Sequence, residues 1–172
     1  MEEQIYVFRE YVGASFLDRY FMLLGISLVL LRIVAGLIWT YHGSQKIFGL
    51  FGGGGFKKTI ESFKGWLGVP SFLTVLLMIA EFFGGIGVIF GFLTRLSAFG
   101  LACGMLVATI VDISAFKASK EKGESIDPTQ KIGFPALLFL IALMLMLLGP
   151  GRFSIDHLLY EHVFKHNWYF GP

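Results

Sequence analysis

Four long apolar runs constrain this chain more than any other feature. Residues 20–41, 70–93, 96–113 and 132–148 are almost wholly apolar, and their only formally charged members are Arg32, Glu81 and Asp112. A bilayer core takes roughly 20 residues of helix at about 1.5 Å each. Helix is the default in lipid because it satisfies its own backbone hydrogen bonds. Only Thr94 and Arg95 separate the second run from the third, which predicts a tight antiparallel hairpin. Pro135 falls in the first turn of the fourth run, where its missing N–H costs nothing. Composition agrees. Of 172 residues, 55% are hydrophobic and 15% charged, whereas a soluble domain is nearer a quarter charged. A compact soluble protein of this size would aggregate with so much apolar side chain. The expected fold is therefore an all-α integral membrane protein, a four-transmembrane-helix bundle with both termini on one face. A soluble enzyme, a disordered chain and a free nucleic-acid binder are excluded. The net charge of +2 is too small to imply a polyanionic partner, so no nucleic acid is expected.

The runs divide the chain into a membrane domain at 20–149, a segment before it at 1–19 and a tail at 150–172. In the first segment Ile5, Phe8, Val12 and Phe16 recur at helical spacing among Glu2, Glu3, Arg9, Glu10 and Asp18. That pattern predicts an interfacial N-terminal amphipathic helix. Glu2 and Glu3 stand where a cleavable signal carries Lys or Arg, so none is expected. The tail holds Leu158, Leu159, Phe164, Trp168, Tyr169 and Phe170, which suit a membrane surface or a neighbouring subunit. Two loops lie opposite the termini, at 43–69 and 115–131. They carry eight lysines against five cationic residues on the terminal face, Arg32 being left out. The positive-inside rule then places the loops in the cytoplasm and the termini outside. The run Gly52-Gly53-Gly54-Gly55 follows no strand and lacks the lysine spacing of a phosphate loop. It reads as a surface turn beside Phe48, Phe51, Phe56, Phe63 and Trp66.

Ionisable groups inside spanning helices are costly, so they are paired or functional. Counted from the ends of their runs, Arg32 lies about 12 Å and Glu81 about 18 Å from the terminal face. The difference of about 6 Å predicts that they face each other. Such a pair either fixes helix register or forms a polar site for a small lipophilic ligand. Nearer the loops, His42 and Lys46 share a side of the first helix at i, i+4. Asp112 falls at a similar depth on the third, and His42 with Asp112 would handle a proton near neutral pH. Trp39 and Tyr41 add aromatic surface. An apolar slot, a flat aromatic wall and a proton-exchanging group are what a quinone head requires. The alternative is that His42 and Lys46 simply end the helix at the headgroups. The candidate ligand-binding residues are thus Arg32, Trp39, His42, Lys46 and Glu81, with Asp112 joining Arg32, His42 and Glu81 as candidates for chemistry.

Other signals are weaker. Gly87 and Gly91 form a GxxxG that suits close helix contact. His162 and His166 lack a third ligand at fixed spacing, and Cys103 is the one cysteine, in an apolar run. No bound metal and no covalently bound cofactor are expected.

Taken in order, several segments resemble the DoxX family of small four-helix membrane proteins. The carriers are Leu31-Arg32-Ile33-Val34-Ala35-Gly36 and Tyr41-His42-Gly43-Ser44-Gln45-Lys46-Ile47-Phe48-Gly49, then a glycine-rich stretch. Ala80-Glu81-Phe82-Phe83-Gly84-Gly85, Gly91-Phe92-Leu93-Thr94-Arg95 and Gly149-Pro150-Gly151-Arg152-Phe153-Ser154-Ile155-Asp156 complete the set. The likeness runs from about residue 31 to 158. Where family members often carry a histidine near the end of the third helix, this chain has Asp112. The resemblance implies a prokaryotic cytoplasmic-membrane protein. It singles out Arg32, His42, Lys46, Glu81, Arg95 and Arg152 as family positions. A related branch includes DoxD, the large membrane subunit of thiosulfate:quinone oxidoreductase, so the resemblance implies quinone-linked electron transfer. The alternative is a non-catalytic accessory or structural subunit. Expected partners are the lipid bilayer, the other subunits of a membrane complex and a quinone.

Overall fold

The computed structural model describes residues 2–121 and 132–164. Every regular element among them is helical. Helix α1 runs Glu2–Phe48, α2 Gly55–Leu67, α3 Ser71–Phe90, α4 Thr94–Glu121 and α5 Phe134–Leu148, and the short α6 runs Ile155–Leu159 into a π-helical turn at Tyr160–Phe164. Three helices are long and apolar enough to cross a membrane, over Asp18–Phe48, Ser71–Phe90 and Thr94–Glu121. The fourth, α5, is a shorter apolar helix of 15 residues. Helix α1 packs chiefly on α3, α3 on α4 and α4 on α5.

The apolar faces follow the helical repeat. Leu28, Arg32, Ala35, Trp39 and Gly43 turn inward on α1, Ala98, Leu101, Ala102 and Met105 on α4, and Leu138, Ala142 and Leu145 on α5. Trp39, Leu101, Leu145 and Val88 are wholly enclosed in one core with the small side chains Ala35, Ala98 and Ala142. Leu137, Leu140, Met144 and Leu147 point outward from α5, where lipid covers them in place of protein.

Residues 2–19 are helical and run without a break into the rest of α1, which is 47 residues long. Two loops differ from expectation. The loop at 43–69 contains α2, whose half-buried or buried Thr59, Ile60 and Phe63 repeat at helical spacing. The loop at 115–131 is shorter than its polarity suggests, since α4 carries on to Glu121. Residues 122–131, and the tail residues His166, Trp168, Tyr169 and Phe170, lie outside the described residues.

The C-terminal segment clasps the end of the bundle where α3 turns into α4. Arg32, almost completely buried, donates from Nη1 to the Pro150 carbonyl at 2.6 Å and from Nη2 to the Phe153 carbonyl. Asp156 accepts from the backbone N–H of Leu93 at 2.7 Å and of Thr94 at 2.8 Å, and its own N–H donates to the Gly91 carbonyl at 2.9 Å. A carboxylate far away in sequence thus satisfies the free amides at the start of α4. Leu93 is held in the left-handed region, with φ 47°. Ser154 accepts from His157 N–H at 3.1 Å and so caps α6. Arg152 lies 6.0 Å from the Phe21 ring, and Gly25 faces Phe153, so this segment shares an end of the molecule with the first half of α1.

Gly91 is required at the centre of this clasp. Its φ is +66°, and a Cβ there would run into the Arg32 guanidinium and Ser154. Gly91→Ala is expected to lower unfolding stability by about 2 kcal/mol or more. Gly65, inside α2 with open space around its Cβ direction, provides the contrast. Gly65→Ala should raise stability by up to about 1 kcal/mol through helix propensity. Thermal unfolding in detergent, with both variants side by side, checks the opposite signs.

Candidate functional site

The contact between α1 and α3 decides which polar groups meet. Its floor is glycine: a Cβ at Gly36 would stand 2.8 Å from the Gly85 carbonyl oxygen, and one at Gly43 would stand 2.6 Å from the Phe82 nitrogen. Backbones this close leave no freedom to slide. Gly36 sits against Ile89 and Gly43 against Phe82, so seven residues forward on α1 match seven back on α3. Four residues before Gly36, Arg32 is therefore level with the turn after α3. Glu81 is level with Ser44.

This register separates the two groups that depth counting had paired. Arg32 and Glu81 stand twelve residue levels apart, about 18 Å. Arg32 is taken by the carbonyls of the clasp. Glu81 instead meets Lys46, whose Nζ donates to its Oε1. The expected Arg32–Glu81 pair is thus replaced by Lys46–Glu81. The cause is that the ends of an apolar run do not set helix register, whereas small residues at a seam do.

The Lys46–Glu81 pair joins the last turn of α1 to the middle of α3. Glu81 is the eleventh of the 20 residues of α3, about 15 Å from either end. Its side chain is 2% exposed and that of Lys46 29%. Lys46 lies in the last turn of α1, with its carbonyl accepting from Thr59 Oγ1 of α2 at 3.4 Å. The glycine run explains itself here. Gly53 packs directly on the backbone of Gln45, where any Cβ would collide, so the loop lies flat against the turn that carries Lys46. Phe82 closes one side, edge-on to Phe48 at 5.4 Å and to Phe83 at 5.1 Å.

One turn back from Lys46, His42 is half-buried and edge-on to both Tyr41 at 5.5 Å and Phe134, the first residue of α5, at 5.7 Å. Tyr41 in turn packs on Phe51, their ring centroids 4.9 Å apart. The aromatic wall beside His42 is therefore Tyr41 and Phe134. Trp39, expected there, is sealed in the bundle core. Asp112 is half-buried on α4.

Chemically, the pair is incompletely satisfied. Glu81 Oε2, Trp39 Nε1 and Thr74 Oγ1 are buried without a hydrogen-bond partner among the described residues. Glu81 and Thr74 stand seven residues apart, on one face of α3. A buried carboxylate oxygen without a donor is expensive, and it offers an acceptor to any group brought beside it. Lys46 Nζ carries three donors and uses one on Glu81. The sequence singles out Glu81, His42 and Lys46, with His42 and Lys46 on one side of the first helix but Glu81 paired with Arg32 instead of Lys46. It does not single out Thr59 and Phe82, whose signals are the helical repeat of α2 and the Glu81-Phe82 adjacency.

Residues 27–113, which include Arg32, His42, Lys46 and Glu81, match the DoxX family. The chain is 29% identical over 136 residues to "Inner membrane protein YqjF" of Escherichia coli (strain K12), covering 78% of this chain and 92% of that protein. It is 31% identical over 136 residues to "Putative oxidoreductase CatD" of Bacillus subtilis (strain 168), covering 79% of this chain and 89% of that protein. No solved structure matches.

Breaking a buried ion pair from one side leaves an uncompensated charge, while replacing both partners by apolar groups removes the problem. Lys46→Met alone should lower stability by about 3 kcal/mol, whereas Lys46→Met with Glu81→Leu should recover most of that loss. A double-mutant cycle of unfolding in detergent measures the coupling.

Proposed function

This chain belongs to the DoxX family of membrane proteins, and from that premise we propose that it is a bacterial inner-membrane subunit of quinone-linked electron transfer. The observation that carries the reading is the Lys46–Glu81 pair, in which a carboxylate at the middle of α3 meets one lysine and keeps one buried oxygen without a donor among the described residues. Ionisable residues at such depth mark sites of ligand or proton handling. A quinone head fits these groups. Its carbonyl oxygens accept hydrogen bonds, which Lys46 Nζ can donate. Reduction adds two electrons and two protons, giving ring hydroxyls that donate, which Glu81 Oε2 can accept. His42, one turn away and half-buried between aromatic rings, supplies an imidazole that can relay a proton. The electrons come from a partner subunit or its redox substrate. The name of the Bacillus subtilis relative, with its reference to an oxidoreductase, supports a redox association.

The test is binding. The purified chain in nanodiscs is titrated with short-chain benzoquinone and naphthoquinone analogues while its tryptophan emission is followed. Saturable quenching is expected, and Glu81→Gln and Lys46→Met should each weaken it about tenfold, equivalent to ~1.4 kcal/mol. Linear, non-saturating quenching that both variants share overturns the proposal.

A second reading, a non-catalytic accessory subunit, is favoured by one feature of α1. Arg32 is level with the turn after α3, so the apolar stretch before it extends beyond the α3–α4 hairpin. Tyr20, Met22, Leu23, Ile26 and Leu30 of that stretch are all exposed. A partner helix would find an apolar face there. Under this reading the chain copurifies in mild detergent with another membrane protein, and Leu23→Asn with Leu30→Asn releases that protein without altering quinone titration.

A further inference from the structure

Helix α2 carries the second amphipathic surface of the molecule, and its two sides have different work. The inner side holds Thr59, Ile60 and Phe63 against the bundle. The outer side exposes Lys57, Lys58 and Lys64, with Glu61 the one acidic residue among them. Its depth follows from the register of α1 on α3. Phe48, the last residue of α1, falls level with Leu77, six residues past the start of α3. Helix α1 thus stops about 9 Å short of the level at which α3 begins. An amphipathic helix lying in the plane of the membrane is buried about 5–10 Å. Helix α2 therefore starts at interfacial depth, and its lysines have stems long enough to bring their ammonium groups to the headgroups.

We propose that the outer face of α2 seats on anionic lipid headgroups and that this seating holds Lys46 against Glu81. The charge argument names the partner: three cations against one anion, on a helix at interfacial depth, complement a negatively charged leaflet. The mechanical argument names the consequence. Thr59 Oγ1 donates to the carbonyl of Lys46, and Gly53 lies flat on the backbone of Gln45. The connection between α1 and α2, through Gly53, and α2 itself, through Thr59, thus both bear on the turn that presents Lys46. A leaflet that holds α2 down holds that turn in place; one that does not lets it move away from Glu81.

The experiment uses the full chain in nanodiscs of phosphatidylcholine, with or without about one-third phosphatidylglycerol. Hydrogen exchange is followed over the peptides that span residues 44–67. The anionic lipid is expected to slow exchange there about threefold or more at low ionic strength, and about 0.5 M salt should erase the difference. The variant Lys57→Gln with Lys58→Gln and Lys64→Gln should lose the response while unfolding at the same temperature as the parent in phosphatidylcholine. Lys117→Gln with Lys120→Gln, on α4, should keep it. Equal exchange in the two lipids overturns the proposal. So does a triple variant that responds like the parent, or a response lost equally in the α4 variant. If inorganic phosphate added to phosphatidylcholine discs reproduces the protection, the face binds free anion and the leaflet assignment is wrong. None of these readouts involves quinone.

Discussion

The structure depends on the glycine-floored contact between α1 and α3. Gly36 and Gly43 on one helix and Gly85 on the other bring two backbones together with no side chain between them. Such a contact is attractive in lipid because dispersion and close fit, not release of water, drive helices together. It is also a ruler. Once Gly43 is against Phe82, the level of every other group on the two helices follows, including the one at which a lysine can reach a carboxylate. Slide either helix by one turn and Glu81 would stand in hydrocarbon without a cation.

Much of this is legible in the sequence. The apolar runs specify helices because lipid leaves the backbone no alternative. The short gap between the second and third runs specified the hairpin, although its turn lies at residues 91–93 and Thr94-Arg95 already open α4; the i, i+4 spacing of His42 and Lys46 put them on one side of α1. What was not legible was relative height. Depth counted from the ends of apolar runs assumes that each helix is centred in the membrane, but α1 is displaced lengthwise along α3 and its apolar run extends past the hairpin. That displacement moved Arg32 to the clasp and brought Lys46 to Glu81. Helix α2 was hidden for a different reason. The run of four glycines argues for a turn, and the first three do make one, but the fourth, Gly55, already opens α2 and the helical repeat of Thr59, Ile60 and Phe63 follows.

The residues that fasten these helices divide into two groups with opposite electrostatic situations. Arg32, Gly91, Ser154 and Asp156 form the clasp, where the guanidinium faces two carbonyls and the carboxylate faces two amides. Backbone groups cannot move off without unfolding the turn, so this cluster holds the architecture. Lys46 and Glu81 face each other through a single contact and keep spare donors and a spare acceptor. A pair of this kind can accommodate a third group. Near-identical sequence signals, charged residues in apolar surroundings, thus correspond to one cluster tied to backbone groups and one built from two side chains alone.

The clasp also sets an order of events during synthesis. A chain made from its N-terminus inserts α1, α3 and α4 well before residues 150–156 leave the ribosome. Until then Arg32 has no carbonyls to receive its hydrogens, and the first amides of α4 have no carboxylate. The hairpin turn, with Leu93 held in a left-handed conformation, must wait for a segment more than sixty residues further on. The bundle is therefore assembled early and fastened last. A nascent chain halted after α5 would expose a bare guanidinium and an uncapped helix at the same end of the molecule, a state that membrane quality-control proteases could distinguish from the finished protein.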